Sequence, residues 1–428
     1  MSKNYKFETL ALHAGHSIDE SLSRAVPLYR TSSYVFKNTE HAANLFALKE
    51  LGNIYTRLMN PTQDILEKRI SALEGGAAGL ALASGTSAIF YTIINICGNG
   101  DEVVSANNLY GGTFTMFNNI IPEFGIKIHF VNPLDLDAIE QKINNKTRVL
   151  YVETIGNPSL DVVNIKAISQ IAQKHHIPLV VDSTFTTPYL FKPLEHGADI
   201  VIHSLTKWIG GHGTGIGGIV IDSGTFDWTD PRFRLYNEPD ASYHNLRYAH
   251  DLGDLNPLAF ILRMRLVPLR NLGSCISPDN SWIFLQGIET LHVRMQRHCE
   301  NAEKVAAYLQ NNEKVTWVRY PGLKDDPSYQ NASSQFKNGY GGMVVFGVKG
   351  GIENGKKFIN NLTLISHLAN VGDAKTLAIH PASTTHSQLN EQDLKSGGIT
   401  TDMVRLSIGI ENVDDIIDDI DQALKTTS

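Results

Sequence analysis

Short apolar runs recur through the middle of the chain, separated by longer stretches in which apolar residues return every three or four positions. The predicted strands are Gly79–Ala83, Glu102–Ser105, Lys127–Val131, Arg148–Glu153, Pro178–Asp182, Asp199–His203 and Gly218–Ile221. Several are near-continuous Val, Ile and Leu, as strands covered on both faces require. Between them, Ile165, Ile168, Ile171 and Ala172 share one face of a helix predicted over Ile165–His175. This alternation predicts an α/β fold, a mostly parallel seven-stranded sheet with helices on both sides. Ligands bind such sheets at the carboxyl ends of strands, so the residues just after each run come first as candidates for chemistry.

The flanks have a different texture. Residues 1–60 lack a sustained period and are rich in turn residues, which predicts an extended arm of the kind that packs on a neighbouring subunit. Residues 61–275 hold the predicted sheet, lengthened over 222–255 by a stretch rich in Asp, Pro, Tyr and Arg that reads as a long excursion rather than a core element. A smaller α/β domain is expected over 276–428. It opens with one long amphipathic helix, marked by Trp282, Leu285, Ile288, Leu291, Met295, Ala302, Val305 and Leu309. Strands Lys314–Val318, Met343–Val348 and Val404–Ile408 follow, then a helix from Val413. There Asp414, Asp415, Asp418 and Asp419 read as a solvated face opposite Ile416, Ile417 and Ile420.

Length and charge narrow the classes. The 428 residues exceed a single core and are 42% hydrophobic, so a large buried interior is expected. A net charge of −7 gives no bulk attraction to nucleic acid or an anionic membrane, yet leaves room for a local basic pocket. No apolar run approaches the length of a membrane span, and Met1–Leu10 lacks the pattern of a secretory signal. Cys97, Cys275 and Cys299 are too few and scattered for a disulfide framework. A cytoplasmic protein is expected.

Two strand ends carry chemistry. Pro178–Val181 runs into Asp182, and Asp199–His203 runs into Ser204-Leu205-Thr206-Lys207, so a carboxylate and an amine stand at neighbouring strand ends. An aldehyde cofactor uses both: a desolvated lysine can lose its proton and form a Schiff base, and a carboxylate keeps a pyridine nitrogen protonated. Taken alone, such a pair is more often structural or an ordinary ion pair. Ser84-Gly85-Thr86 follows the first strand and opens a helix, where backbone N–H groups and hydroxyls can cradle a phosphate or simply cap the helix. Ser204 and Thr206 add hydroxyls beside Lys207. Tyr110, followed by Gly111 and Gly112, offers a ring that can stack on a flat cofactor.

Gly213-Thr214-Gly215-Ile216-Gly217-Gly218 has the form of a dinucleotide fingerprint, but these glycines lead into a strand, where the fingerprint follows one. Nicotinamide binding is not expected. None of the 16 histidines, including His203, His212, His380 and His386, has the spacing of a zinc site, and no metal is expected.

These residues together resemble the Cys/Met-metabolism family of pyridoxal-phosphate (PLP) enzymes. The likeness covers nearly the whole chain and rests on Tyr55-Thr56-Arg57 with Asn60-Pro61-Thr62, Ser84-Gly85-Thr86, Tyr110-Gly111-Gly112-Thr113, Glu153-Thr154 with Asn157-Pro158, Asp182, Ser204-Leu205-Thr206-Lys207 and Val404-Arg405-Leu406-Ser407. The resemblance implies an aminotransferase-like type I fold with pyridoxal 5'-phosphate as cofactor. It implies that Lys207 holds the aldehyde and moves protons, that Asp182 pairs with the ring nitrogen, and that Tyr110 stacks on the ring with Asn157 beside the ring hydroxyl. Ser84, Gly85, Thr86, Ser204 and Thr206 would bind the phosphate, joined by Tyr55 and Arg57 of an adjacent subunit in a dimer of dimers. Arg405, with Asn370, would bind the substrate carboxylate, which a forked guanidinium suits.

Within the family, the run 367–386 and the excursion after Asp222 resemble the O-acetylhomoserine sulfhydrylases, while Asp279 departs from the aromatic residue expected there. The activity implied is γ-replacement on O-acetyl-L-homoserine with sulfide or methanethiol, giving homocysteine or methionine plus acetate. A γ-lyase or a cystathionine γ-synthase shares every cofactor residue, and a non-catalytic scaffold would have no need of them. The sequence leaves open whether sulfur arrives as sulfide, as a thiol or on a carrier protein.

Overall fold

The computed structural model describes residues 5–384 and 398–427. Seven strands form the larger sheet: β1 (Ala78–Leu82), β2 (Glu102–Ala106), β3 (Lys127–Val131), β4 (Thr147–Glu153), β5 (Leu179–Asp182), β6 (Ile200–Ser204) and β7 (Gly218–Asp222). Their order is β1-β7-β6-β5-β4-β2-β3, and only β7 runs antiparallel to its neighbours. Each predicted strand is present, its ends displaced by at most one residue. The central strands are buried along most of their length, which is why they carry so little polar patterning.

A second sheet of five strands follows in the order β10-β11-β12-β9-β8, with β8 at Val315–Arg319, β9 at Met343–Val348, β10 at Ser366–His367, β11 at Leu377–Ile379 and β12 at Met403–Ser407. It has its own apolar cluster, in which Val305, Leu309, Phe346, Phe358, Leu406 and Ile420 are buried. β10 and β11 were not predicted. They are two and three residues long, too short to show a period.

Three expectations need correction. The long helix over 282–309 is two helices, Pro278–Glu289 and Leu291–Gln310, broken at Thr290. Just before the break Gly287 lies so close to Ile209 and Gly210 that a Cβ would stand 2.5 Å from both carbonyl oxygens. Straight continuation gives way to that close approach. The acidic run is not wholly solvated: Asp419 is buried and accepts the N–H groups of Thr363, Leu364 and Ile365 at 2.8–3.1 Å, terminating the loop that precedes β10. The excursion over 222–255 contributes to the core. Trp228 stacks on Tyr236 at 4.3 Å and on Phe260 at 5.6 Å, and Arg263 faces the rings of Tyr236 and Tyr248.

The N-terminal segment holds two short helices, Phe7–His13 and Thr39–Phe46. The first is fastened to the body, where Arg69 donates to the carbonyl of Ala14 at 3.0 Å. Beyond it, Leu22 and Val35 stand 78% and 97% exposed.

Candidate active site

Asp182 and Ser204 close β5 and β6 at the same end of the sheet. Thr184 joins them, its N–H donating to Asp182 Oδ1 at 3.0 Å while its Oγ1 accepts the N–H of Ser204 at 2.8 Å. Sequence reasoning missed this link, although the Asp-x-Thr spacing is a common way for a carboxylate to bind its own turn. From Ser204 the chain turns, with the N–H of Lys207 donating to the Ser204 carbonyl at 3.3 Å, and delivers Lys207 beside the strand ends.

The amine of Lys207 donates to Oδ1 of Asn370 at 2.5 Å. Burial first, and then the positive charge of Arg405, bring its pKa down from 10.5 to about 8. Such an amine is poised to act as nucleophile or base near neutral pH. Burial lowers Arg405 too, to about 10, so it remains a cation, and its Nη1 donates to Asn157 Oδ1 at 2.8 Å. Asp182 is pushed in the opposite direction, with burial raising it above an ordinary carboxyl. A buried carboxyl of this kind is matched by a cationic hydrogen-bond donor, which restores its charge.

The Ser84-Gly85-Thr86 turn faces these strand ends. Ser84 caps the helix Gly85–Ile96 by accepting the N–H of Ser87 at 3.0 Å, and its Oγ lies 2.9 Å from Thr86 Oγ1. Gly85 is required there: a Cβ would stand 2.8 Å from Cβ of Ser204. The absent side chain lets Ser204 come up against a helix N-terminus that already carries the Ser84 and Thr86 hydroxyls, a donor set suited to a phosphate. Thr206 is less free than expected, because its hydroxyl bridges the loop before β7, accepting from Gly217 N at 3.1 Å and donating to Gly217 O at 3.3 Å.

Tyr110 projects from the loop after β2, half exposed, with its ring over Gly112, where a Cβ would lie 2.6 Å from the ring. Its N–H is held by Glu153 Oε1 at 2.8 Å. Tyr55 and Arg57 are the exception to this convergence. Both are exposed, Arg57 lies over the Tyr55 ring at 5.2 Å, and neither side chain bonds to the Lys207 cluster. Asp279 pairs with Arg30, while its neighbour Asn280 donates to the carbonyl of Ile216 at 3.0 Å. The glycines over 213–218 lead into β7, and no helix follows them. The His380 ring bonds to Ser383 Oγ and the Thr401 carbonyl, and His386 lies outside the described residues.

A mostly parallel sheet with a half-buried lysine, a strand-end carboxyl and a phosphate-type donor set is the architecture of a type I PLP enzyme. The sequence model of the Cys/Met metabolism PLP-dependent enzymes matches residues 8–425, and the chain belongs to that family. An O-acetyl-L-homoserine sulfhydrylase of Leptospira meyeri is 54% identical, the alignment covering 99% of this chain and 98% of the relative. A homocysteine synthase of Schizosaccharomyces pombe is 48% identical, with 98% of each chain covered. Among solved structures, an O-acetylhomoserine (thiol)-lyase of Campylobacter jejuni that carries a pyridoxyl-lysine monophosphate superposes with a TM-score of 0.95 at 41% identity, covering 99% of this chain and all of that one.

Proposed function

We propose that this enzyme replaces the acetyl ester of O-acetyl-L-homoserine with sulfide or methanethiol, releasing acetate and forming homocysteine or methionine. The observation that carries this reading is the placement of Lys207, its amine at about 8, between Asn370 and the Arg405–Asn157 pair. Names of relatives at 44–54% identity support the substrate.

Lys207 would hold the aldehyde carbon of PLP, Asp182 the ring nitrogen and the Ser84–Thr86 turn with Ser204 the phosphate. When bound, that group supplies an electron sink for the pair left at carbon after a proton departs. Arg405 orients the amino-acid carboxylate with a forked set of donors and so presents Cα to Lys207 Nζ. A lysine lowered to about 8 can accept a proton from Cα and return it later, within the range where proton transfer is most effective. Tyr110 covers the reacting centre and keeps water from competing with the sulfur nucleophile. Acetate leaves as the carboxylate, and the C–S bond takes the place of the C–O bond.

We read the assembly as a homo-oligomer, a dimer of dimers, in which Tyr55 and Arg57 complete the phosphate site of an adjacent subunit. Their exposure and that of Val35 and Leu22 support it. A cytoplasmic location fits the three unpaired cysteines, of which Cys97 and Cys299 are buried. The experiment is product analysis with O-acetylhomoserine in the presence and absence of sulfide. Homocysteine should form only with sulfide; 2-oxobutanoate as main product either way would make the enzyme a γ-lyase, and cystathionine formed preferentially from cysteine would make it a synthase.

A further inference from the structure

Glu153 closes β4, next to Asp182 in the sheet register, and is 6% exposed. Its Oε1 accepts the N–H of Tyr110 at 2.8 Å. The Tyr110 side chain has no hydrogen bond of its own among the described residues, so the direction of its ring depends on how its backbone is held. The carbonyl of Tyr110 is fixed by the N–H of Phe114 at 2.9 Å, as the first turn of the helix that follows. The N–H side is fixed by Glu153 alone. Four residues beyond Glu153, the N–H of Asn157 reaches the Asn108 carbonyl at 3.3 Å, so the loop that carries Tyr110 rests on the segment that starts at Glu153.

We propose that Glu153 is a positioning residue: its carboxyl, through the Tyr110 N–H, sets the ring of Tyr110 over the site whose floor is Asp182. This rests on the reading that PLP is held between these residues. The charge state agrees with the geometry. Burial, and then the neighbouring Asp182, push Glu153 well above the ordinary carboxyl range, the direction that favours an uncharged acceptor for the N–H. An ionised Glu153 would set two anions side by side in a buried place, which is unfavourable without a second cation.

Glu153→Gln retains an acceptor oxygen and has no charge; Glu153→Leu fills the space and removes the acceptor. The measurements are PLP affinity by titration of cofactor-free protein, the visible circular dichroism of the bound cofactor, and kcat and KM. The Gln variant should stay within about twofold of wild type in all of them. The Leu variant should lose about tenfold in PLP affinity, the scale of one hydrogen bond to a buried group, with a weakened dichroic band. Combining it with Tyr110→Ala should add little to the loss from Tyr110→Ala alone. A Gln variant as impaired as Leu would overturn the proposal by showing that the charge is what matters. So would an unimpaired Leu variant, or additive losses in the double variant. Wild-type protein that binds no PLP would overturn both this and the functional reading, whereas PLP binding that ignores Glu153 would overturn this one alone.

Discussion

The amine of Lys207 meets Oδ1 of Asn370 at 2.5 Å across 163 residues of sequence, joining the turn after β6 to the segment between β10 and β11. The acceptor is uncharged, so nothing at that contact offsets burial or the repulsion from Arg405, and the amine stays at about 8. Asn370→Asp puts a carboxylate in the same place and should move the lysine back toward its ordinary range by about one to three pH units. The pH dependence of PLP capture by cofactor-free protein reads this directly, with a midpoint displaced upward in the variant.

The same lowered amine makes a stability prediction for the cofactor-free protein. Below pH 8 Lys207 is charged in both states, and burying that charge opposes folding. Between about 8 and 10.5 the unfolded chain holds a proton that the folded one has released, so stability rises with pH across that window. Lys207→Met should remove this rise and stabilise the protein at pH 7 by on the order of 3 kcal/mol, at 1.36 kcal/mol per pH unit. Chemical denaturation at pH 7 and pH 10 measures both the gain and the lost slope.

Arg405, on β12 of the smaller sheet, donates to Asn157 in the turn after β4 of the larger one, 248 residues earlier in the chain. A lysine cannot reproduce a planar fork that binds a carboxylate and Asn157 together. Arg405→Lys should reduce kcat/KM for the amino acid about 10²-fold, from the loss of charge-assisted hydrogen bonds. PLP absorbance should remain, and KM should carry most of the change.

What could be read in advance follows the range of the forces involved. Continuous apolar runs report burial on both faces, so the seven strands of the larger sheet were visible, and with them the strand ends at Asp182 and Ser204. Ser84 was visible as a helix cap because capping is local. Lys207–Asn370, Arg405–Asn157 and Tyr110–Glu153 connect residues 43 to 248 positions apart, and spacing holds no information about such pairs. Thr206 shows the same limit on a small scale: its hydroxyl also bridges to Gly217, a partner made available only by the return of the chain into β7. Asp419 looked solvated because a helical wheel knows nothing of the loop over 363–365.

Gly85 is confined by Ser204. A methyl group there would press on Cβ of Ser204 at 2.8 Å and on its Cα and Oγ at 3.1 Å. Gly85→Ala should therefore destabilise the fold by about 1–3 kcal/mol through overpacking. It should also push the Ser84–Thr86 turn away from Ser204 at the end of β6 and so disturb the phosphate donors. Thermal unfolding of the cofactor-free variant measures the first effect, and PLP titration of the same protein measures the second.

Tyr55 and Arg57 supply the test of assembly. Both are exposed and neither bonds to the Lys207 cluster of its own chain, whereas the Tyr55 turn is itself well fixed, with the N–H groups of Leu58 and Met59 donating to the Tyr55 carbonyl at 2.8 and 3.1 Å. A cation and a ring held out rigidly at 5.2 Å from each other suit delivery to a neighbouring surface. Lys207→Ala and Arg57→Ala chains should each be inactive or severely impaired alone. In a hybrid pair, the site built on the second chain has an intact lysine and receives an intact Arg57 from the first. Random pairing of equal amounts then restores about a quarter of the wild-type sites. Subunit exchange verified by mass, with no recovered turnover, would mean that Arg57 serves its own chain or no site at all.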